Sequence, residues 1–192
     1  LTPAERKVSN RVTGFVTGLM GATAIGLAST AGAAPTTNSV SDHVQLVEAL
    51  ENAGVTVVLN SPQFCDPNTS GLYASYQRFI VICQENAEDP YRDQGWTAYD
   101  LDTLRHEAHH VIQDCIAGGL ADNNFGNLFD GDEFEEFVRG SLTAGEIDWI
   151  ITNYGFQGEE VILNELEAFA TAKVIGPETI SEVITEVCKF KF

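Results

Sequence analysis

Leu104-Arg105-His106-Glu107-Ala108-His109-His110-Val111-Ile112-Gln113-Asp114-Cys115 holds three of the four histidines of the chain. His106, Glu107 and His110 spell His-Glu-x-x-His. On an α-helix, residues four apart are one turn apart and point the same way. Two imidazoles so placed can each bring a ring nitrogen to about 2.0–2.1 Å from one Zn2+. Glu107, beside the first of them, can take a proton from a water held there without ligating the metal. The spacing therefore predicts His106 and His110 as metal ligands and Glu107 as a general base. His109 leaves the helix on another side and is expected either to be structural or to support a metal ligand without touching the metal.

That reading needs a helix, and the flanking residues predict one. Leu101, Leu104, Ala108, Val111, Ile112, Cys115 and Ile116 recur at intervals of three and four, an apolar stripe. Asp100 or Asp102 is the expected N-cap, and Gly118-Gly119 the expected stop. The stripe runs beside His106 and His110, which puts the pair at the margin of a buried face.

Outward from this helix, 192 residues with 44% hydrophobic content suit one globular domain. Ten basic residues against 28 acidic ones give a net charge of −18. That balance argues against nucleic acid or an anionic membrane as a partner, since both are held through basic patches. Arg6, Lys7 and Arg11 open the chain, Val12 to Ala34 carries no charge, and Ala31-Gly32-Ala33 is a small-x-small string. Residues 1–33 therefore read as an export signal, leaving 34–192 as the domain and a secreted or periplasmic location. The uncharged run is also long enough to span a bilayer. Its wealth of Gly, Ala, Ser and Thr makes it a poor permanent anchor, so membrane association is not expected after cleavage.

The remaining elements alternate in type. Ser41 to Gly54 reads as an amphipathic helix with Val44, Leu46, Val47 and Leu50 as packing residues, and Val55–Leu59 as a β-branched strand. Gly71–Tyr76 and Arg78–Cys83 read as a hairpin, and the unbroken apolar run Phe79–Ile82 as a strand buried on both faces. Residues 121–131 are rich in Asp, Asn and Gly and read as a solvated turn in preference to a Ca2+ loop, because the spacing is not that of an EF-hand. Helices are expected over 132–139, 143–153, 159–175 and 178–188, the third stopped by Gly176-Pro177. The fold class expected is α+β: a small mixed sheet with a hairpin, packed on the His-Glu-x-x-His helix and on a later helix bearing glutamates. Four cysteines in an exported chain suggest two disulfides, for which three connectivities are possible. Cys65 with Cys83 and Cys115 with Cys188 is the expected pairing.

A catalytic zinc of this kind has three protein ligands and an open position. The helix over 159–175 carries Val161-Ile162-Leu163-Asn164-Glu165-Leu166-Glu167-Ala168-Phe169-Ala170. Glu165 and Glu167 lie about 200° apart around it, so only one can face the metal. Glu165 shares its side with Ile162, Ala168 and Ala172, small enough for close helix approach, and is the expected third ligand; Glu167 stays open as the alternative.

With these residues in view, the chain resembles the gluzincin branch of the zincin metallopeptidases over about residues 55–175. The order of helix, strand, hairpin, His-Glu-x-x-His helix and Glu-bearing helix is similar. Asn164-Glu165 looks like the third-ligand string of thermolysin-like enzymes. Glu165-Leu166-Glu167-Ala168 looks like that of the membrane prenyl-protein peptidases, and Glu167-Ala168-Phe169-Ala170 like the Glu-Gly-Phe-Ala string of aminopeptidase relatives. The first two groups carry an aspartate four residues after the ligand glutamate, to orient a ligand histidine; here that position is Phe169. The resemblance implies a zincin-like fold and zinc-dependent hydrolysis of a peptide or protein substrate, with Tyr154 as a candidate oxyanion donor. The departure at Phe169 and the small size keep a second expectation in place: a non-catalytic binding or assembly protein on the same scaffold, membrane- or particle-associated if residues 12–34 stay attached.

Overall fold

The computed structural model describes residues 40–84, 89–91 and 95–188. The reading of residues 1–33 as an export signal lies outside them. Among the described residues the architecture is α+β: six α-helices and one three-stranded mixed sheet. Helix α1 (Val40–Asn52) leads to β1 (Thr56–Leu59), then β2 (Gly71–Ala74) and β3 (Phe79–Ile82). Five helices follow: α2 (Ala98–Ala117), α3 (Gly131–Ser141), α4 (Ala144–Tyr154), α5 (Glu159–Val174) and α6 (Pro177–Val187).

The sheet order is β1-β3-β2, so the last strand in sequence is the central one. β3 pairs parallel with β1 (Val57 opposite Ile80) and antiparallel with β2 (Tyr73 opposite Ile80). This explains the apolar run: Ile80, Val81 and Ile82 are fully buried, as a strand covered on both faces requires. The tight link between β2 and β3 turns on Arg78, whose φ of 56° is left-handed.

One core lies between the sheet, α1, α2 and α6, with Leu46, Leu50, Ile80, Leu104, Ile112 and Ile184 at its centre. Each fully buried leucine or isoleucine there contributes about 1.5–3 kcal/mol by leaving water. A smaller cluster, Val138, Leu142, Ile150, Leu166 and Ala170, joins α3, α4 and α5. Helix α2 borders the main core on one side and α5 on the other.

Both disulfides pair as expected. Cys65–Cys83 ties the loop after β1 to the end of β3, and Cys115–Cys188 ties the end of α2 to the end of α6. By constraining the unfolded chain each adds about 3–4 kcal/mol, the larger share from the link across 73 residues.

Two expectations about α2 are corrected. Its N-cap is Thr97, not Asp100 or Asp102: the Thr97 hydroxyl accepts from Asp100 N–H, and the Asp100 carboxylate accepts from Thr97 N–H. Asp100 thus occupies the third position of a capping box, and Asp102 pairs with Arg105. Nor is α2 a one-sided amphipathic helix, for it is buried nearly all round. Arg105, His106, Glu107, His109, Gln113 and Asp114 are as inaccessible as its leucines. Burial of so many polar groups holds only because most are hydrogen-bonded: Arg105 Nε donates to Ala172 O at 2.9 Å, and Asp114 accepts from the Tyr73 and Ser75 hydroxyls at 2.7 and 2.8 Å. The segment read as a solvated turn is also corrected in part, because Leu128 and Phe129 are buried.

Candidate metal centre

Two turns of α2 and one of α5 build the site. His106 and His110, one turn apart, bring their Nε2 atoms to 3.1 Å from each other. From α5 the Glu165 carboxylate reaches both: Oε2 lies 3.3 Å from His106 Nε2, and Oε1 lies 3.6 Å from His110 Nε2. The two helices can come this close because Ala168 and Ala172 lie buried where a larger side chain would hold them apart. His106, His110 and Glu165 each offer a ligand atom, all within 4.8 Å of one another. Glu165 Oε2 is buried and has no hydrogen-bond partner, a costly arrangement for a carboxylate unless a cation lies beside it. Two imidazoles and a carboxylate are a donor set that suits Zn2+. The residues present fit the ion.

The protonation pattern of the cluster follows from burial and mutual charge. Burial pushes Glu107 up to about 7, with His106 pulling it back, Glu165 adding to the rise and the backbone of Tyr73 opposing it. Burial, reinforced by the neighbouring His106, lowers His110 to about 4. Burial also opposes charge on His106, but the close approach of the Glu165 carboxylate and the charge of Glu107 outweigh it, and its pKa rises. For Glu165, burial is outweighed by the two histidines, and its pKa falls.

Glu107 is held in place from the sheet. A Cβ at Gly71 would stand 2.5 Å from Thr103 Cγ2 and 3.1 Å from both Glu107 Cγ and Oε1. Only glycine lets β2 lie this close to α2 at the base, and nothing in the pattern of the strand announced it.

Above the cluster opens a cleft of about 1040 Å³. His106 and Glu107 line it together with residues 68–71, and α4 and α5 contribute an aromatic wall of Trp149, Tyr154 and Phe169. Phe169 lies against the His106 ring, centroids 4.3 Å apart, and Trp149 and Tyr154 pack on Phe169 in turn. Tyr154, the residue singled out as an oxyanion donor, is in this wall. Burial, together with the charges of Glu165 and Glu107, pushes its hydroxyl up to about 12, so it stays protonated and can donate.

Glu167 is elsewhere. It is fully buried on the other side of α5 and accepts from four groups: His109 Nε2 at 2.9 Å, Gln113 Nε2 at 2.9 Å, Leu128 N–H at 3.1 Å and Phe129 N–H at 2.8 Å. His109 is accordingly an anchor between helices. His43, the fourth histidine, meets Pro90 O and Trp96 and stands apart from the cluster. Gln113 was missed in the sequence. Its Oε1 lies 2.8 Å from His110 Nδ1, and its place three residues after a ligand histidine was the available signal.

Residues 36–135 match a family described as a domain of unknown function (DUF8637), and the chain belongs to that family. No curated protein and no solved structure matches the chain. The matched span holds His106, Glu107, His110 and Gln113, whereas Glu165 and Glu167 lie beyond it.

Proposed function

We propose that the protein is an exported zinc-dependent peptidase of gluzincin type, with His106, His110 and Glu165 as ligands and Glu107 as general base. The observation that carries this reading is the convergence of two imidazole nitrogens and one carboxylate within 4.8 Å of one another, beside a cleft lined by His106 and by Glu107, a second carboxylate whose pKa is raised. A bound zinc ion would supply Lewis acidity, drawing a water towards ionisation at neutral pH and polarising a carbonyl. Glu107 takes the proton of the attacking water and returns it to the leaving amine, a role suited to a group titrating near neutrality. Tyr154, protonated in the facing wall, donates to the oxygen on which negative charge develops. The aromatic wall excludes water from the reacting bond. The substrate is a peptide or protein able to enter the cleft. Export is supported by the two disulfides, which persist in oxidising compartments. No helix among the described residues is long and apolar enough to cross a membrane.

The test combines metal content with cleavage of a peptide library. Glu107→Gln keeps zinc and loses hydrolysis; His110→Ala loses both. Retained hydrolysis in either purified variant would sink the scheme. A non-catalytic use of the same scaffold is the second reading, favoured by His106 Nδ1, which is buried with no hydrogen-bond partner among the described residues. Stoichiometric zinc without cleavage of any library member would select it.

A further inference from the structure

His106 and His110 are held in different ways. Phe169 covers one face of the His106 ring while Nδ1 makes no hydrogen bond among the described residues. His110 Nδ1 instead meets Gln113 Oε1 at 2.8 Å. The orientation of that carboxamide is fixed by what surrounds its nitrogen. Gln113 Nε2 faces Asn164 O at 3.1 Å and Glu167 Oε2 at 2.9 Å. A carbonyl and a carboxylate only accept, so the amide must donate to them and cannot be turned round. Its oxygen therefore faces His110, and an amide oxygen has no hydrogen to give. The hydrogen of the neutral His110 ring has to sit on Nδ1, which leaves the lone pair on Nε2, pointing at His106 and Glu165.

We propose that Gln113 is a positioning residue that presets the tautomer of His110 for a cation, and that Glu167 is the anchor that keeps Gln113 in register. Glu167 can serve because the Leu128 and Phe129 N–H groups and His109 hold its two oxygens, so neither glutamate nor glutamine is free to rotate in the core. The pair also sets the spacing of the ligands. Gln113 belongs to α2, which carries both histidines, and it donates to the carbonyl of Asn164, the residue next to Glu165 on α5. Gln113 thereby takes over the orienting task that Phe169 cannot perform, acting on the second histidine and from within the same helix. Fixing the ring before the ion arrives removes the cost of selecting the tautomer upon binding.

This inference rests on the reading of His106, His110 and Glu165 as a cation site, but its tests do not use hydrolysis. In the metal-free protein labelled with 15N in the imidazoles, NMR should show His110 with its hydrogen on Nδ1. A dominant Nε2–H form would overturn the proposal, with no variant needed. Competition against a zinc chelator should show Gln113→Leu binding about 10–100-fold more weakly than wild type. Gln113→Glu keeps an acceptor for Nδ1–H while losing the donors to Glu167, and should lose stability but stay within several-fold of wild-type affinity. A folded Gln113→Leu that binds zinc like wild type would overturn the proposal. Zinc binding with no cleavage of any peptide would instead count against the peptidase reading and leave the role of Gln113 standing.

Discussion

Glu165 and Glu167 stand two residues apart on α5 and occupy opposite situations. Glu167 is fully buried and accepts four hydrogen bonds, two of them from backbone N–H groups. Glu165 is partly buried, yet one of its oxygens has no hydrogen-bond partner among the described residues and its carboxylate faces two imidazoles. A carboxylate whose needs are met by the fold belongs to the fold. One whose needs are left unmet beside two other ligand atoms points to something the fold does not supply. The contrast separates anchor from ligand more sharply than burial does.

The largest effect should come from breaking the anchor. Glu167→Gln replaces one of the two acceptor oxygens by an NH2, so that Phe129 N–H on one side, or Leu128 N–H, Gln113 and His109 on the other, face a donor in the core, which costs on the order of 3–5 kcal/mol. For a domain of this size that is a fall of roughly 10 °C in Tm, readable by circular dichroism. Glu165→Gln should instead change the stability of the metal-free protein by less than about 1 kcal/mol, because its buried Oε2 accepts no hydrogen bond from the described residues that the substitution would break, while abolishing zinc binding. If the two variants lose equal stability, the contrast between the carboxylates fails.

Gly71→Ala sharpens the comparison from the sheet side. The added methyl would drive into Thr103 and Glu107, so a loss of about 1–3 kcal/mol is expected from overpacking. Hydrolysis should fall more than zinc content does, since the base moves and the ligands do not. Equal losses of metal and activity would show that β2 positions the ligands as well.

The smallest effect concerns a carboxylate that is satisfied at the surface. The hydrogen bond from Lys173 Nζ, with that from Thr143 N–H, lowers Glu146 to about 2. A lowered folded pKa means that this group's stabilisation is full above its unfolded value near 4.5 and is lost as pH falls towards 2. Both side chains are more than a third exposed, so screening keeps the contribution within about 0–1 kcal/mol. Lys173→Ala should raise the Glu146 titration midpoint measured by carboxyl NMR and barely change Tm. An unmoved midpoint would remove Lys173 as the cause.

Most of the element order was legible because periodicity and punctuation are local. Phe79–Ile82 reads as a doubly covered strand, and it is the central one; Gly118 and Gly176-Pro177 end helices where expected. The pairing of Cys65 with Cys83 and Cys115 with Cys188 is the one expected among three, but the spacing of four cysteines alone did not select it. The polar side of α2 was not legible. Arg105, Gln113 and Asp114 look like a solvent face by type, and they are buried because α5, β2 and the 118–130 segment supply partners remote in sequence. For the same reason, helical geometry could say that only one of Glu165 and Glu167 faces the histidines, while which of them does so depends on how α5 rests on α2. Thr97 was passed over as the cap because Asp100 is an equally good cap by type, and only its reciprocal bond shows it to be the third residue of the box.

The central claim is that Glu165 completes a zinc site with His106 and His110 and that Glu167 does not. Metal analysis of the purified protein after incubation with saturating zinc tests it most directly, with wild type beside Glu165→Ala and Glu167→Gln. The account predicts one zinc per chain in wild type, none in Glu165→Ala, and one in the folded fraction of Glu167→Gln. Zinc retained without Glu165, or absent from reconstituted wild type, would contradict it.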